Sequence, residues 1–172
     1  KANLCPLFPK EYEASYLAAI VAGYITETGK FAMIGGDPNQ AMQDLMAVYG
    51  KTAVSIAKER GIADASYNLA YANSWSDIAL GKQMSESMID DGADVVFAYA
   101  NELGLGVING AIEKGVKAVG YSSDQTVIDP KTVVEILGHA SAEFSLDVYT
   151  HVTTGMKKEA AQKISGFMAS VG

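Results

Sequence analysis

Residues 94–121 read DVVFAYANELGLGVINGAIEKGVKAVGY, and this stretch decides the fold. Asp94 to Tyr99 carries Val95-Val96-Phe97, a short apolar run of the kind a strand buried on both faces needs. Leu103, Val107, Ile108, Ala111 and Ile112 then recur at the spacing that gathers side chains on one helical face, and Gly115 caps that helix. Lys117 to Tyr121 returns to a strand. Strand and helix alternating through short connections imply a parallel sheet with helices on both faces.

The same alternation extends outward in both directions. Upstream, Leu80, Met84 and Met88 mark an amphipathic helix stopped at Gly92, and Ser66 to Ala72 reads as a strand before it. Met42, Leu45, Met46, Tyr49, Ala53, Ile56 and Ala57 lie on one face of a long helix that starts at Asp37-Pro38-Asn39 and ends near Gly61. Phe31 to Ile34, closed by Gly35-Gly36, is a buried strand. Tyr12, Tyr16, Ala19, Ile20 and Gly23 predict a first helix, and Gly29-Lys30 is the one candidate boundary in the chain. Downstream, Val133 to Leu137 is a fifth strand. Phe144, Val148 and Val152 then form a helical stripe, and Ala161, Ile164, Phe167, Met168 and Val171 form another. The fold class is α/β: about five parallel strands flanked by helices on both faces.

Composition narrows the function. The 172 residues suit one domain, and 49% hydrophobic residues place the chain among globular proteins. A formal net charge of −7 repels phosphate backbones, which excludes nucleic acid as a partner class. The single cysteine, Cys5, cannot close an internal disulfide and reads as a small buried side chain. No stretch reaches the ~18 uninterrupted apolar residues of a membrane helix. The chain opens on Lys1 with no starting methionine and reads as a mature fragment.

In an open parallel sheet, ligands sit beyond the carboxyl ends of the strands. Those ends read Gly35-Gly36-Asp37, Asn73-Ser74-Trp75-Ser76-Asp77, Tyr99-Ala100-Asn101-Glu102 and Ser122-Ser123-Asp124-Gln125. They bring the only tryptophan together with amides, hydroxyls and carboxylates, which suits a planar polar ligand. Candidate ligand-binding residues are Trp75, Asn101, Asp124, Ser122, Tyr99 and Asn73. Trp75 is either a half-buried packing residue or a stacking platform; its polar neighbours place it in a loop and favour stacking. Asn101 is placed to cap a helix as well as to meet a ligand, and both roles are compatible. Asp124 serves equally as a turn residue or a ligand contact. Glu102 and Asp77 read as solvated or helix-starting carboxylates.

Catalytic and cofactor motifs do not assemble. Leu103-Gly104-Leu105-Gly106 begins like a dinucleotide fingerprint, but the third glycine falls at Gly110 where Asn109 would have to be glycine. There is no phosphate-cradling GxxxxGK[ST] and no G-x-S-x-G. His139 and His151 have no partners at metal-ligand spacing. No cofactor, no metal and no enzymatic activity are expected.

Several segments, in order, carry a family resemblance. Glu13-Ala14-Ser15-Tyr16-Leu17-Ala18, Thr28-Gly29-Lys30 and Ile34-Gly35-Gly36 come first. Asp90-Asp91-Gly92-Ala93-Asp94-Val95-Val96 and Lys117-Ala118-Val119-Gly120-Tyr121-Ser122-Ser123-Asp124-Gln125 follow, with Pro130 to Val134 in register behind them. Together they resemble the basic membrane protein / purine nucleoside receptor family of solute-binding lipoproteins, from about Glu11 to about Gly155.

That resemblance implies an extracytoplasmic binding protein of an ABC importer, periplasmic or at the cell surface and lipid-anchored in its full-length parent. Its lobes would close on a purine-like ligand, with the importer's permease as partner. Trp75 would be the second-lobe aromatic, where many members carry Phe, and Asn101 a polar contact. Residues 1–29 would end the first lobe, whose remainder is missing. Residues 30–155 would form the second lobe, and 156–172 a C-terminal helix. Two positions depart from the family: Ser122 replaces a ribose-binding aspartate, and the lysine after the fifth strand has no counterpart near His139. Both favour a free base over a nucleoside. The alternative is a ligand-sensing regulatory domain of the same fold.

Overall fold

The computed structural model describes residues 11–121 and 125–134. Cys5, Ser122, Asp124, His139, His151 and the helices expected after residue 134 lie outside the described residues. In chain order the elements are α1 (Glu11–Ile25), β1 (Lys30–Gly35), α2 (Gln40–Glu59), β2 (Ser66–Tyr71) and α3 (Ile78–Asp90). They continue with β3 (Val95–Tyr99), α4 (Glu102–Lys114), β4 (Lys117–Val119) and β5 (Val133–Val134). The strands form one parallel sheet in the order β2-β1-β3-β4-β5. The expected alternation is borne out, and β5 contributes two residues among those described.

Strand alternation divides the core into two layers, because successive side chains leave a strand on opposite faces. Phe31, Met33, Val95, Phe97 and Val119 point to the side of α1 and α2. There they meet Ala18, Ala22, Met42, Leu45, Met46 and Tyr49, with the Tyr49 and Phe97 rings stacked at 4.5 Å. Ala32, Ile34, Val96, Ala98 and Ala118 point the other way, onto Met88, Leu103, Val107, Ile108 and Ala111 of α3 and α4. The inner strands are covered on both faces, which is why they read as continuous apolar runs.

α3 and α4 approach more closely than ordinary side chains permit. A Cβ on Gly106 would lie 2.0 Å from the Ile78 carbonyl oxygen, and one on Gly81 would lie 2.2 Å from that of Leu103. Ser85 Oγ donates to the Val107 carbonyl at 3.0 Å along the same seam. Gly104, by contrast, has only Ala98 Cβ in reach, at 3.7 Å. The glycines that mimic half of a dinucleotide fingerprint are therefore helix-packing residues in part.

At the amino edge of the sheet, α1 is fastened to the strands that follow it. The Asp94 carboxylate accepts from Thr26 Oγ1 (2.6 Å), Glu27 N (2.6 Å) and Thr28 N (2.8 Å). Arg60 Nη1 donates to the carbonyls of Gly23 (2.8 Å) and Thr26 (2.9 Å), satisfying acceptors that the end of α1 leaves open. Ser15 Oγ, buried, donates to the Leu45 carbonyl at 3.0 Å and joins α1 to α2. These contacts direct α1 back along α2, so its first turn ends at the carboxyl edge of the sheet.

Candidate ligand rim

The carboxyl ends of β1, β2 and β3 are held together by the backbone itself. Gly36 N donates to the Tyr99 carbonyl at 3.1 Å and Ala72 N to that of Gly35 at 2.9 Å, so pairing continues one residue beyond each strand. Leu103 N, at the start of α4, donates to the Trp75 carbonyl at 3.1 Å. The loop after β2 is thereby fixed to the loop after β3. Trp75 and Asn101, distant in sequence, stand on the same edge.

Trp75 is half-buried and touches both core layers. Its indole N–H donates to the Asp37 carboxylate. A Cβ on Gly36 would lie 2.8 to 3.0 Å from Cδ2, Cε2 and Cε3 of the indole, so one face of the ring rests on the Gly36 backbone. Tyr99 meets the indole edge-on, with centroids 6.5 Å apart and planes at 67°. Tyr121 lies against Tyr99 at 4.1 Å, tilted by 39°. Three aromatic rings thus form a row across the ends of β2, β3 and β4.

Carboxylates flank that row. Tyr99 Oη donates to Glu11 Oε2 at 2.5 Å. Burial is the main reason the Tyr99 hydroxyl is held well above the ordinary phenol range, followed by its hydrogen bonds to Glu11 and Tyr121. Burial likewise raises the Tyr121 pKa. Both phenols therefore stay protonated as hydrogen-bond donors at neutral pH. Among the described residues, the cations sit on the helices or at the amino edge, for example Lys30, Lys117 and Arg60. A groove of about 210 Å³, lined by Lys30, Tyr67, Asn68, Met88 and Asp91 among others, also lies at that opposite edge.

The other sequence candidates fall as follows. Asn101 occupies the N-cap position of α4, yet its side chain makes no capping bond and is exposed. Asn73 is exposed with φ at 51°, a left-handed conformation that asparagine tolerates better than most residues, so it shapes the loop that carries Trp75. Asp77 caps α3 by accepting from Leu80 N at 2.9 Å, and Glu102 opens α4, both as helix-starting carboxylates. Ser122 and Asp124 lie outside the described residues; next to them, buried Gln125 Oε1 accepts from Tyr121 N at 3.0 Å. Among the described residues no group of histidine, cysteine and carboxylates is arranged to hold a metal ion.

Sequence reasoning missed Glu11 and Tyr121 and did not assign Asp37 a partner. Glu11 had a signal. A helix that precedes a strand and packs back along the sheet must begin at that strand's carboxyl edge. The Asp37–Trp75 pair had none, because it spans a whole crossover.

Comparison with known proteins agrees with this architecture. The family model described as "ABC transporter substrate-binding protein PnrA-like" matches residues 1–136. Basic membrane protein D of Borreliella burgdorferi (strain JD1) is 29% identical over 138 residues, covering 77% of this chain and 38% of that protein. The ABC transporter nucleoside-binding protein BmpA of Lactococcus lactis subsp. cremoris (strain MG1363) is 35% identical over 99 residues, 58% of this chain and 27% of that protein. The chain thus spans about two-fifths or less of the length of these relatives. An ABC transporter solute-binding protein from Aeropyrum pernix K1 shares the fold, with a TM-score of 0.66 and 21% identity over 90% of this chain and 43% of that one. A transcriptional activator of the comK gene from Bacillus halodurans superposes with a TM-score of 0.73 and 15% identity, over 94% of this chain and 64% of that one. Both structural likenesses show the fold alone. With its family model matched over most of its length, the chain belongs to the PnrA-like family of ABC transporter substrate-binding proteins.

Proposed function

We propose that this chain is the second-lobe portion of an extracytoplasmic binding protein that delivers a flat purine-like heterocycle to an ABC importer. Residues 30–155 belong to the lobe in this reading, residues 1–29 lead in from the first lobe, and 156–172 are assigned to a separate C-terminal segment. The row of Trp75, Tyr99 and Tyr121 along the carboxyl rim, with the Asn101 carboxamide on the same rim and making no capping bond, carries the reading. An aromatic platform supplies a stacking face, and a carboxamide supplies both a donor and an acceptor for a ring edge. Asn73 shapes the loop, and Ser122 and Asp124, which follow β4 in the sequence, are proposed as further polar contacts.

The nucleoside-binding name of the Lactococcus relative supports the ligand class. Within that class we favour the free base, because Ser122 stands where the family carries a ribose-binding aspartate. The family's role is solute binding, and the parent protein would be lipid-anchored outside the cytoplasm with the permease as its partner. No helix of the described residues is long and apolar enough to cross a membrane. Calorimetric titration of the two-lobed parent with adenine, guanine, xanthine and their nucleosides tests the reading. A base is expected to bind tightest. Tighter binding of a nucleoside overturns the base preference, and no binding by the whole panel overturns the ligand class.

A further inference from the structure

We infer that Asp37 is the positioning residue that presets the Trp75 indole, and that an aspartate here and a tryptophan there act as a pair. The inference rests on the rim being the ligand site, yet its geometry is independent of any ligand. Four contacts fix the indole. Its N–H donates to Asp37, one face lies on Gly36, Tyr99 meets it edge-on at 6.5 Å, and the Trp75 backbone that carries it is held through its carbonyl, which accepts from Leu103 N at 3.1 Å. Of these, the Asp37 bond is specific to an indole. A phenylalanine would keep the packing and lose the donor.

The consequence is mechanical. A tryptophan on a loop turns about two side-chain bonds, and ordering it at binding costs affinity. An N–H anchored to a carboxylate sets the angle about the second bond, and Gly36 closes one face. The ring is then oriented before a ligand arrives. Gly36 is required because any Cβ there would push into the indole. Asp37 is held in turn by its own loop, where its carbonyl accepts from Asn39 N at 2.9 Å ahead of α2. Asn39 caps that helix by accepting from Met42 N, so truncating the Asp37 side chain leaves the cap in place.

Trp75 is the only tryptophan, so its signals report on this one contact. Two measurements decide the matter, the first on this chain and the second on its two-lobed parent. In ¹H–¹⁵N spectra without ligand, the indole N–H resonance should be displaced from the solvent-exposed position and protected from exchange. Asp37→Ala should return it toward that position and raise acrylamide quenching of the emission about twofold or more, with the far-UV circular dichroism unchanged. Asp37→Asn, which keeps an acceptor, should lie between. An indole resonance and quenching unchanged in a folded Asp37→Ala chain overturn the inference.

The second measurement titrates the two-lobed parent with adenine and adenosine. Asp37→Ala should weaken the better-bound probe about tenfold in the Trp75 protein and less than about twofold in a Trp75→Phe background. Equal losses in both backgrounds mean that Asp37 meets the ligand directly, and overturn the pairing. If neither probe nor any other purine of the panel binds the unaltered protein, the ligand assignment falls while the spectra still decide the role of Asp37.

Discussion

Gly106→Ala tests the packing that holds up the rim. The added Cβ would sit 2.0 Å from the Ile78 carbonyl oxygen and 2.9 Å from both Ile78 C and Lys82 N, all of them backbone atoms. An ordinary carbon–oxygen contact is about 3.3 Å, so α3 and α4 must separate by about 1.3 Å. A gap of that order forfeits half or more of the dispersion energy along the seam. It also breaks the Ser85 Oγ bond to the Val107 carbonyl, worth about 1 kcal/mol. Overpacking adds roughly 3 kcal/mol, and the better helix propensity of alanine returns about 1 kcal/mol. The net cost is about 3 kcal/mol, a fall in melting temperature of about 6–12 °C for a chain of this size. Gly104→Ala, with its nearest neighbour at 3.7 Å, is the control and should be neutral or slightly stabilising. Thermal melts followed by circular dichroism read both variants. A Gly106→Ala protein as stable as the parent, or a Gly104→Ala protein less stable than the Gly106 variant, would refute the close-approach geometry.

Three further outcomes follow from named contacts. Asp94→Ala removes the acceptor of three hydrogen bonds in the turn after α1 and should cost about 2–4 kcal/mol in urea melts, with Asp94→Asn intermediate. Asn101→Ala should leave stability within about 0.5 kcal/mol, since its side chain caps nothing, while weakening ligand binding measurably by calorimetry. The folded-state pKa of Tyr99 and Tyr121 lies above the ordinary value of 10.0, so their neutral forms favour the folded state. The stability they contribute is present below pH 10 and is lost as pH rises through the folded values. Absorbance at 295 nm should therefore show a late-ionising component to which Tyr99 and Tyr121 contribute, along with half-buried Tyr71. The absence of any late-ionising component would contradict the burial described.

Much of the fold was legible because it rests on local periodicity. The runs at Phe31 to Ile34 and Val95 to Phe97 are apolar on both faces for one reason: helices cover both sides. Asn39 and Asp77 announced helix starts and cap them. The rim was legible as a set of loops, since parallel strands place all their carboxyl ends on one edge. What single spacing rules could not reveal was pairing across a crossover. Asp37 reaches Trp75 after a full helix and strand, and Glu11 reaches Tyr99 across most of the described chain. Gly104 and Gly106 show the same limit. They are two residues apart in an identical local context, and only the neighbouring helix distinguishes the crowded one from the open one.

The most direct test of the central claim is the affinity of a Trp75→Ala parent protein for whichever purine binds the unaltered protein most tightly, measured by calorimetry. Stacking of one base on an aromatic ring contributes about 1–3 kcal/mol, so binding should weaken roughly fivefold or more while the melting profile shows a folded protein. Unchanged affinity in a folded Trp75→Ala protein contradicts the assignment of the carboxyl rim as the ligand site.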